Sequence, residues 1–288
     1  MTNMHFCPVG KLEKILVATD RSPSSDKAIQ EAITLAKGCS SMLYVLSTLE
    51  LNPAQHATTG LGTFLKEETE VLQYLNSIKE KAVREGITCE TIFQSGIEPS
   101  QAIMDEAIKR DIDMIVIGRR GRKGLLNVLM GEVATKVVAH APCKILVVPR
   151  EAKVEYRSIL VATDGSGHSI VAVQEAVSIA KKFGSTLVAL SSIRSDDEKE
   201  KAQTNISKVV DMAKSEGITV EGLIPTGRSF NLIAETATEK GVNLIVMGMP
   251  VKSALGKIFT GSATEKVIGK AECAVLIVKG DDTVSATV

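Results

Sequence analysis

Apolar residues in this chain follow two rhythms. Short continuous runs of Ile, Val and Leu alternate with stretches in which apolar positions recur every three or four residues. Ile15–Thr19, ending in Asp20, reads as a buried parallel strand. Ala28, Ile29, Ala32, Ile33, Leu35 and Ala36 then recur at helical spacing, with Gly38 as a stop. The alternation predicts further strands at Met42–Leu46, Ile87–Phe93, Met114–Ile117 and Lys144–Val148. It predicts helices at Glu67–Glu85 (closed by Gly86), Pro99–Arg110 and Gly131–His140. Such a pattern specifies an α/β, doubly wound unit: a five-stranded parallel sheet with helices on both faces. Ligands on such sheets bind at the carboxyl ends of the strands, near the switch in strand order.

The pattern is written twice. Lys14-Ile-Leu-Val-Ala-Thr-Asp20 recurs as Ser158-Ile-Leu-Val-Ala-Thr-Asp164, and Gly131-Glu-Val-Ala-Thr-Lys136 as Gly261-Ser-Ala-Thr-Glu-Lys266. Cys143 recurs as Cys273. The repeats are too long for solenoid units, so two tandem domains, 1–150 and 151–288, each with its own core, are expected. The first repeat is the longer, and the extra length falls at Leu49–Leu65, which is read as a surface loop or a lid. The apolar last strands, Lys144–Val148 and Ala274–Val278, are expected to pair between the repeats. That pairing would make the chain an internal pseudo-dimer, with further homodimerisation left open.

Composition narrows the partners. The 288 residues carry 34 basic and 34 acidic side chains, so the formal charge is zero. Binding nucleic acid through bulk electrostatics needs a basic excess, and 3% aromatics leave little for base stacking. No apolar run approaches the ~20 residues of a membrane span, and Met1–Gly10 lacks the features of a signal peptide. Five cysteines without C-x-x-C spacing suit a reducing compartment. No nucleic acid, no membrane and a cytoplasmic location are the resulting expectations.

Candidate chemistry sits at the predicted strand ends. Gly118-Arg-Arg-Gly121 is followed by Gly131-Glu132, and spaced glycines before a helix start let backbone N–H groups approach an anion. Arg119, Arg120, Arg122 and Lys123 add positive charge. The alternative is that the glycines serve turns alone. Asp20 and Asp164 precede Ser-rich turns, where a carboxylate either binds ribose hydroxyls or caps the next helix. His168 follows the second of these turns and either approaches a ligand there or stays a surface residue.

The Ile-Leu-Val-Ala-Thr-Asp strand, the G-x2-G-x9-G spacing and the closing Ala-Pro-Cys143-Lys-Ile-Leu-Val-Val strand together resemble the universal stress protein family, in tandem. The resemblance implies an adenine nucleotide alpha hydrolase-like fold that binds ATP or AMP, with Mg as an accompanying ion, without strong enzymatic activity. It places Ala18, Thr19, Asp20 and Leu43 around adenine and ribose. Gly118, Arg119, Gly121, Arg122, Gly131, Glu132 and Val133 would line ribose and phosphates. In the second repeat the matching positions are Ala162, Thr163, Asp164, Leu187, Gly248, Gly261, Ser262 and Ala263. Two departures stand out. Glu132 replaces the family's Ser or Thr, setting a carboxylate against a phosphate at the same helix start. Val251, after Pro250, replaces the second glycine of repeat two. The first repeat is therefore the expected binder.

Other motifs fail. Gly165-Ser-Gly167 has Ile170 where a dinucleotide fingerprint needs glycine, and no P-loop or G-x-S-x-G elbow occurs. His5 and Cys7 lack a second pair of metal ligands. Cys143 and Cys273 read as buried structural thiols. The functions in competition are a nucleotide-binding stress protein, a slow ATPase, and a nucleotide-free interaction scaffold.

Overall fold

The computed structural model of the chain describes residues 12–49, 53–120, 130–153, 155–250 and 263–280. The first half runs β1 (Lys14–Thr19), α1 (Pro23–Cys39), β2 (Met42–Leu49), α2 (Pro53–Arg84), β3 (Cys89–Ser95), α3 (Pro99–Arg110), β4 (Met114–Gly118), α4 (Glu132–His140) and β5 (Lys144–Val148). The second runs β6 (Ser158–Ala162), α5 (Gly167–Phe183), β7 (Thr186–Leu190), a 3-10 turn at Asp196–Glu198, α6 (Lys199–Ser215), β8 (Val220–Leu223), α7 (Ser229–Glu239), β9 (Leu244–Pro250), α8 (Ala263–Lys270) and β10 (Ala274–Gly280).

All ten strands join one sheet in the order β3-β2-β1-β4-β5-β10-β9-β6-β7-β8. Within each half the pairings are parallel, and the order switches between β1 and β4, and again between β6 and β9. At the centre β5 and β10 run antiparallel, Leu146 opposite Leu276, which is the pairing expected of the two last strands.

The hydrophobic core is divided by sheet face, and each part continues through the seam. One cluster lies under α1, α2, α5 and α6, and joins Ile15, Val17 and Leu75 to Ile159, Val173 and Leu187. The other lies under α3, α4, α7 and α8, and joins Leu16, Ile115 and Val137 to Leu160, Ile233 and Val267. Each cluster takes residues from both halves.

Polar contacts reinforce the seam. Arg119 Nη1 donates to the carbonyls of Ala271 (2.5 Å), Ile268 (3.3 Å) and Gly269 (3.4 Å), at the carboxyl end of α8. In return Lys279 Nζ donates to the Val138 carbonyl of α4 at 2.7 Å. These carbonyls lack partners within their own helices, and a cation there also complements the helix dipole. Lys144 pairs with Glu175 at 2.7 Å, and Tyr156 donates to Glu31 at 2.9 Å while stacking on Phe183.

Two predicted boundaries shift. The segment read as a loop or lid, Leu49–Leu65, is helical from Pro53 onward, so α2 spans 32 residues. Proline is tolerated at a first helical position because its missing N–H has no partner there anyway. Gly60 and Gly62 each cost ~1 kcal/mol relative to Ala. The helix is anchored beyond them by Val71, Leu75, Ile78 and Ala82, all buried. Similarly, α1 continues through Gly38 and ends at Cys39, where Ser40 takes the left-handed conformation (φ 55°).

Candidate functional site

The two switch points are built alike. In the first, Thr19 closes β1 and is buried, its Oγ1 3.0 Å from Ser25 Oγ and accepting from the Arg21 amide at 3.1 Å. Asp20 Oδ1 accepts from the Ser22 amide at 3.1 Å. Ser22 then caps α1 through a reciprocal box with Ser25, and Pro23 opens the helix. The carboxylate and the helix start therefore share one tight turn. Capping is served by it.

Arg21 completes the turn with φ 63°, a left-handed conformation that costs a side chain energy. Its guanidinium lies 3.6 Å from Glu67 and 3.9 Å from Glu70 of α2. Tyr74 of α2 donates to Asp26 at 2.5 Å, and burial, then Asp26, pushes its hydroxyl up to about 12. The outer helix is thus fastened beside the Asp20 turn.

In the second switch point Thr163 Oγ1 lies 3.0 Å from Ser169 Oγ, and Gly165 holds the left-handed position at φ 78°. Ser166 donates to Asp164 Oδ1 from its amide (3.0 Å) and its hydroxyl (2.5 Å). Burial pushes the Asp164 carboxyl up, but hydrogen bonds from Ser166 and Ser169 and the nearby His168 outweigh it and hold it below the usual carboxylate range. Here Asp164 and Gly165 are exposed. A Cβ on Gly165 would lie 2.4 Å from Asn205 Oδ1 of α6. His168 Nε2 sits 3.0 Å from Ser166 Oγ.

The glycines ending β4 and β9 answer to packing. A Cβ on Gly118 would come within 2.9 Å of the Ser24 carbonyl carbon and oxygen, and one on Gly248 within 2.1 Å of the His168 carbonyl oxygen. The first turns of α1 and α5 lie directly on these positions. Only glycine allows that approach.

Beyond β4 the chain departs from several expectations. Arg119, placed beside phosphates by the resemblance, sends its guanidinium to the end of α8, and burial lowers its pKa. Arg120 keeps its Nε buried without a hydrogen-bond partner among the described residues. Gly131 donates to the Arg119 carbonyl at 2.9 Å and begins α4 with no side-chain cap. Glu132 does not turn into the site. Its side chain is 80% exposed and pairs with Lys136 at 2.7 Å. Val133 is half-buried on the same first turn, and Ala263 opens α8 exposed.

Leu43 and Leu187 are not at either site. Both are fully buried near the amino ends of β2 and β7, in register with Ile15 and Ile159. Register places Ser47 beside Thr19 and Leu190 beside Ala162, so Leu43 stands four residues, roughly 13 Å, too early. The buried Ser47 is the residue the sequence reading missed, and the alternation of β2 was its only signal. Ala18 and Ala162 are half-buried at the strand ends as expected. Gly121, Arg122, Lys123, Val251, Gly261, Ser262, His5 and Cys7 lie outside the described residues.

Burial pushes the thiols of Cys143 and Cys273 up to about 12 and that of Cys89 up to about 11, as inert core groups require. Cys39 is disulfide-bonded, which its spacing in the sequence does not signal. Among the described residues no three His, Cys, Asp or Glu side chains cluster as a metal site, and no helix is long and apolar enough to cross a membrane.

Comparison with known proteins bears on this architecture. A model of the universal stress protein family matches the chain twice, over residues 11–149 and 155–279. A universal stress protein of Synechocystis is 36% identical over 149 residues, covering 47% of this chain and 96% of the relative. The universal stress protein YxiE of Bacillus subtilis is 34% identical over 145 residues, covering 47% and 97%. A solved universal stress protein structure from Archaeoglobus fulgidus shares the fold with a TM-score of 0.72 at 22% identity, covering 92% of this chain and 98% of that one.

Proposed function

The chain belongs to the universal stress protein family, and from that premise we propose that it is a regulatory protein that binds an adenine nucleotide, ATP or AMP, in its first half. The observation that carries the reading is the amino end of α4. Gly131 caps it without a side chain, and Glu132 is turned out to Lys136, so the N–H groups of the first turn face no competing carboxylate. Such an end binds phosphate through its free donors and its dipole. Arg120, with a buried open Nε next to this turn, adds positive charge.

The remaining groups have roles that fit. Asp20, on the adjacent strand end, is the carboxylate assigned to the ribose hydroxyls, held by the Ser22 amide in a fixed turn. Ala18, Thr19 and Val133 bound the crevice, with Gly121 and Arg122 assigned to the phosphates from sequence. A magnesium ion would be held chiefly by the phosphates and water, because no acidic cluster stands ready among the described residues. Pro250 and Val251, where the first half has Arg120 and Gly121, favour a scaffolding role for the second half, around Thr163, Asp164, Gly261, Ser262 and Ala263.

The test is native mass spectrometry of freshly purified protein, then calorimetric titration with ATP and AMP. We expect one nucleotide per chain. Asp20→Ala should weaken binding about 10- to 100-fold, the worth of a charged hydrogen bond, and Asp164→Ala should not. No bound nucleotide and no heat with either ligand would sink the reading.

A further inference from the structure

Six large hydrophobic side chains are prominently exposed among the described residues, and three of them lie on α2: Leu65 (51%), Leu72 (47%) and Val83 (55%). At ~100° per residue they fall within about 20° of one another around the helix. They form one stripe. It is not the core-facing side, which carries Val71, Leu75, Ile78 and Ala82. Nor is it the flank toward α1, which is marked by Glu67, Glu70 and Tyr74 through their contacts with Arg21 and Asp26. The stripe lies on the opposite flank. In the second half α6 has no exposed large hydrophobic, so an outer helix in this fold does not need one.

Charge identifies the occupant. Glu68 borders the stripe near its start and Lys79 near its end, on the same edge. If a second α2 lies antiparallel, with Leu65 against Val83 of the second copy, Glu68 meets Lys79. The same pair forms again by symmetry, as a two-fold interface requires. Parallel alignment would instead set Glu68 against Glu68 and Lys79 against Lys79. We propose that the chain forms a homodimer through antiparallel packing of this α2 stripe, with the seam between the two halves left untouched. The contact from Leu65 to Val83 spans roughly 27 Å of helix, too little for an obligate interface, so the dimer dissociates on dilution.

Sedimentation velocity over a concentration series of the full chain tests this. The expected result is a concentration-dependent dimer whose midpoint rises at least tenfold in Leu72→Glu, with circular dichroism and Tm little changed because Leu72 is 47% exposed and belongs to neither core cluster. Glu68→Lys should also raise the midpoint, and adding Lys79→Glu should return it to the wild-type value. A chain that stays monomeric at several hundred micromolar, including one whose stripe serves a different protein, overturns the proposal. So does a dimer indifferent to Leu72→Glu, or a double charge reversal that fails to restore association. Nucleotide titration of Leu72→Glu reads the first-half site separately, and its affinity is expected to be unchanged.

Discussion

Glu31 shows how a single buried carboxyl sets a property of the fold. It is buried on α1, accepts from Tyr156, and has Lys27 as its nearby cation. Burial nevertheless pushes it up to about 7 from an ordinary 4.5. The native state therefore holds this proton more tightly than the unfolded chain does. Its contribution is fully present below about pH 4.5 and is lost as pH rises to about 7. Glu31→Gln keeps an acceptor for Tyr156 and removes the titration. Chemical denaturation should find the variant gaining on wild type between those pH values, on the order of 3 kcal/mol. A constant difference would show that Glu31 is ionised in the native state. Residues of this kind were not legible in the sequence. Glu31 and Glu175 occupy equivalent repeat positions, yet one faces a tyrosine from the linker and the other a lysine from β5. Their partners lie in the opposite half, beyond the reach of any local pattern. The strand-end residues Thr19, Asp20, Thr163 and Asp164 were legible, because they end apolar runs and precede capping serines.

At the scale of elements, periodicity located the described helices and strands of the first half, and erred where a helix survives its own breakers. Gly38 looked like punctuation and Leu49–Leu65 like a loop, but α1 runs through the first and α2 begins at Pro53 within the second. Arg119 is the sharper lesson. A basic residue after a glycine at a strand end suggests a phosphate ligand, whereas here it holds the carboxyl end of a helix in the other half. Arg119→Ala should lower stability by about 1–2 kcal/mol through loss of those carbonyl contacts. Nucleotide affinity should stay within a few-fold of wild type, as read by calorimetry alongside a melting curve. A collapse of binding at unchanged stability would return Arg119 to the site.

For the whole molecule, the continuous sheet matters more than the repeat boundary. Each hydrophobic cluster crosses the β5–β10 pairing, so neither half can unfold without exposing part of the core of the other. Scanning calorimetry should therefore show a single transition, with calorimetric and van't Hoff enthalpies in agreement. Two resolved transitions would mean that the seam is weaker than its burial suggests. Sequence showed that there were two copies and which strands would meet. It did not show that the cores would merge, since that depends on the faces left open once β5 and β10 have paired.

The antiparallel joint has one more consequence. Where two identical subunits meet through their last strands, any change of residue appears in both sites at once. Linking the copies end to end breaks that obligation while keeping the geometry of the pair. Arg21 can then tie one turn to an outer helix while Gly165 yields the other to Asn205, with neither change imposed on its twin. The linkage gives the molecule a freedom that symmetry forbids: its two switch points can diverge residue by residue while the pair keeps its geometry.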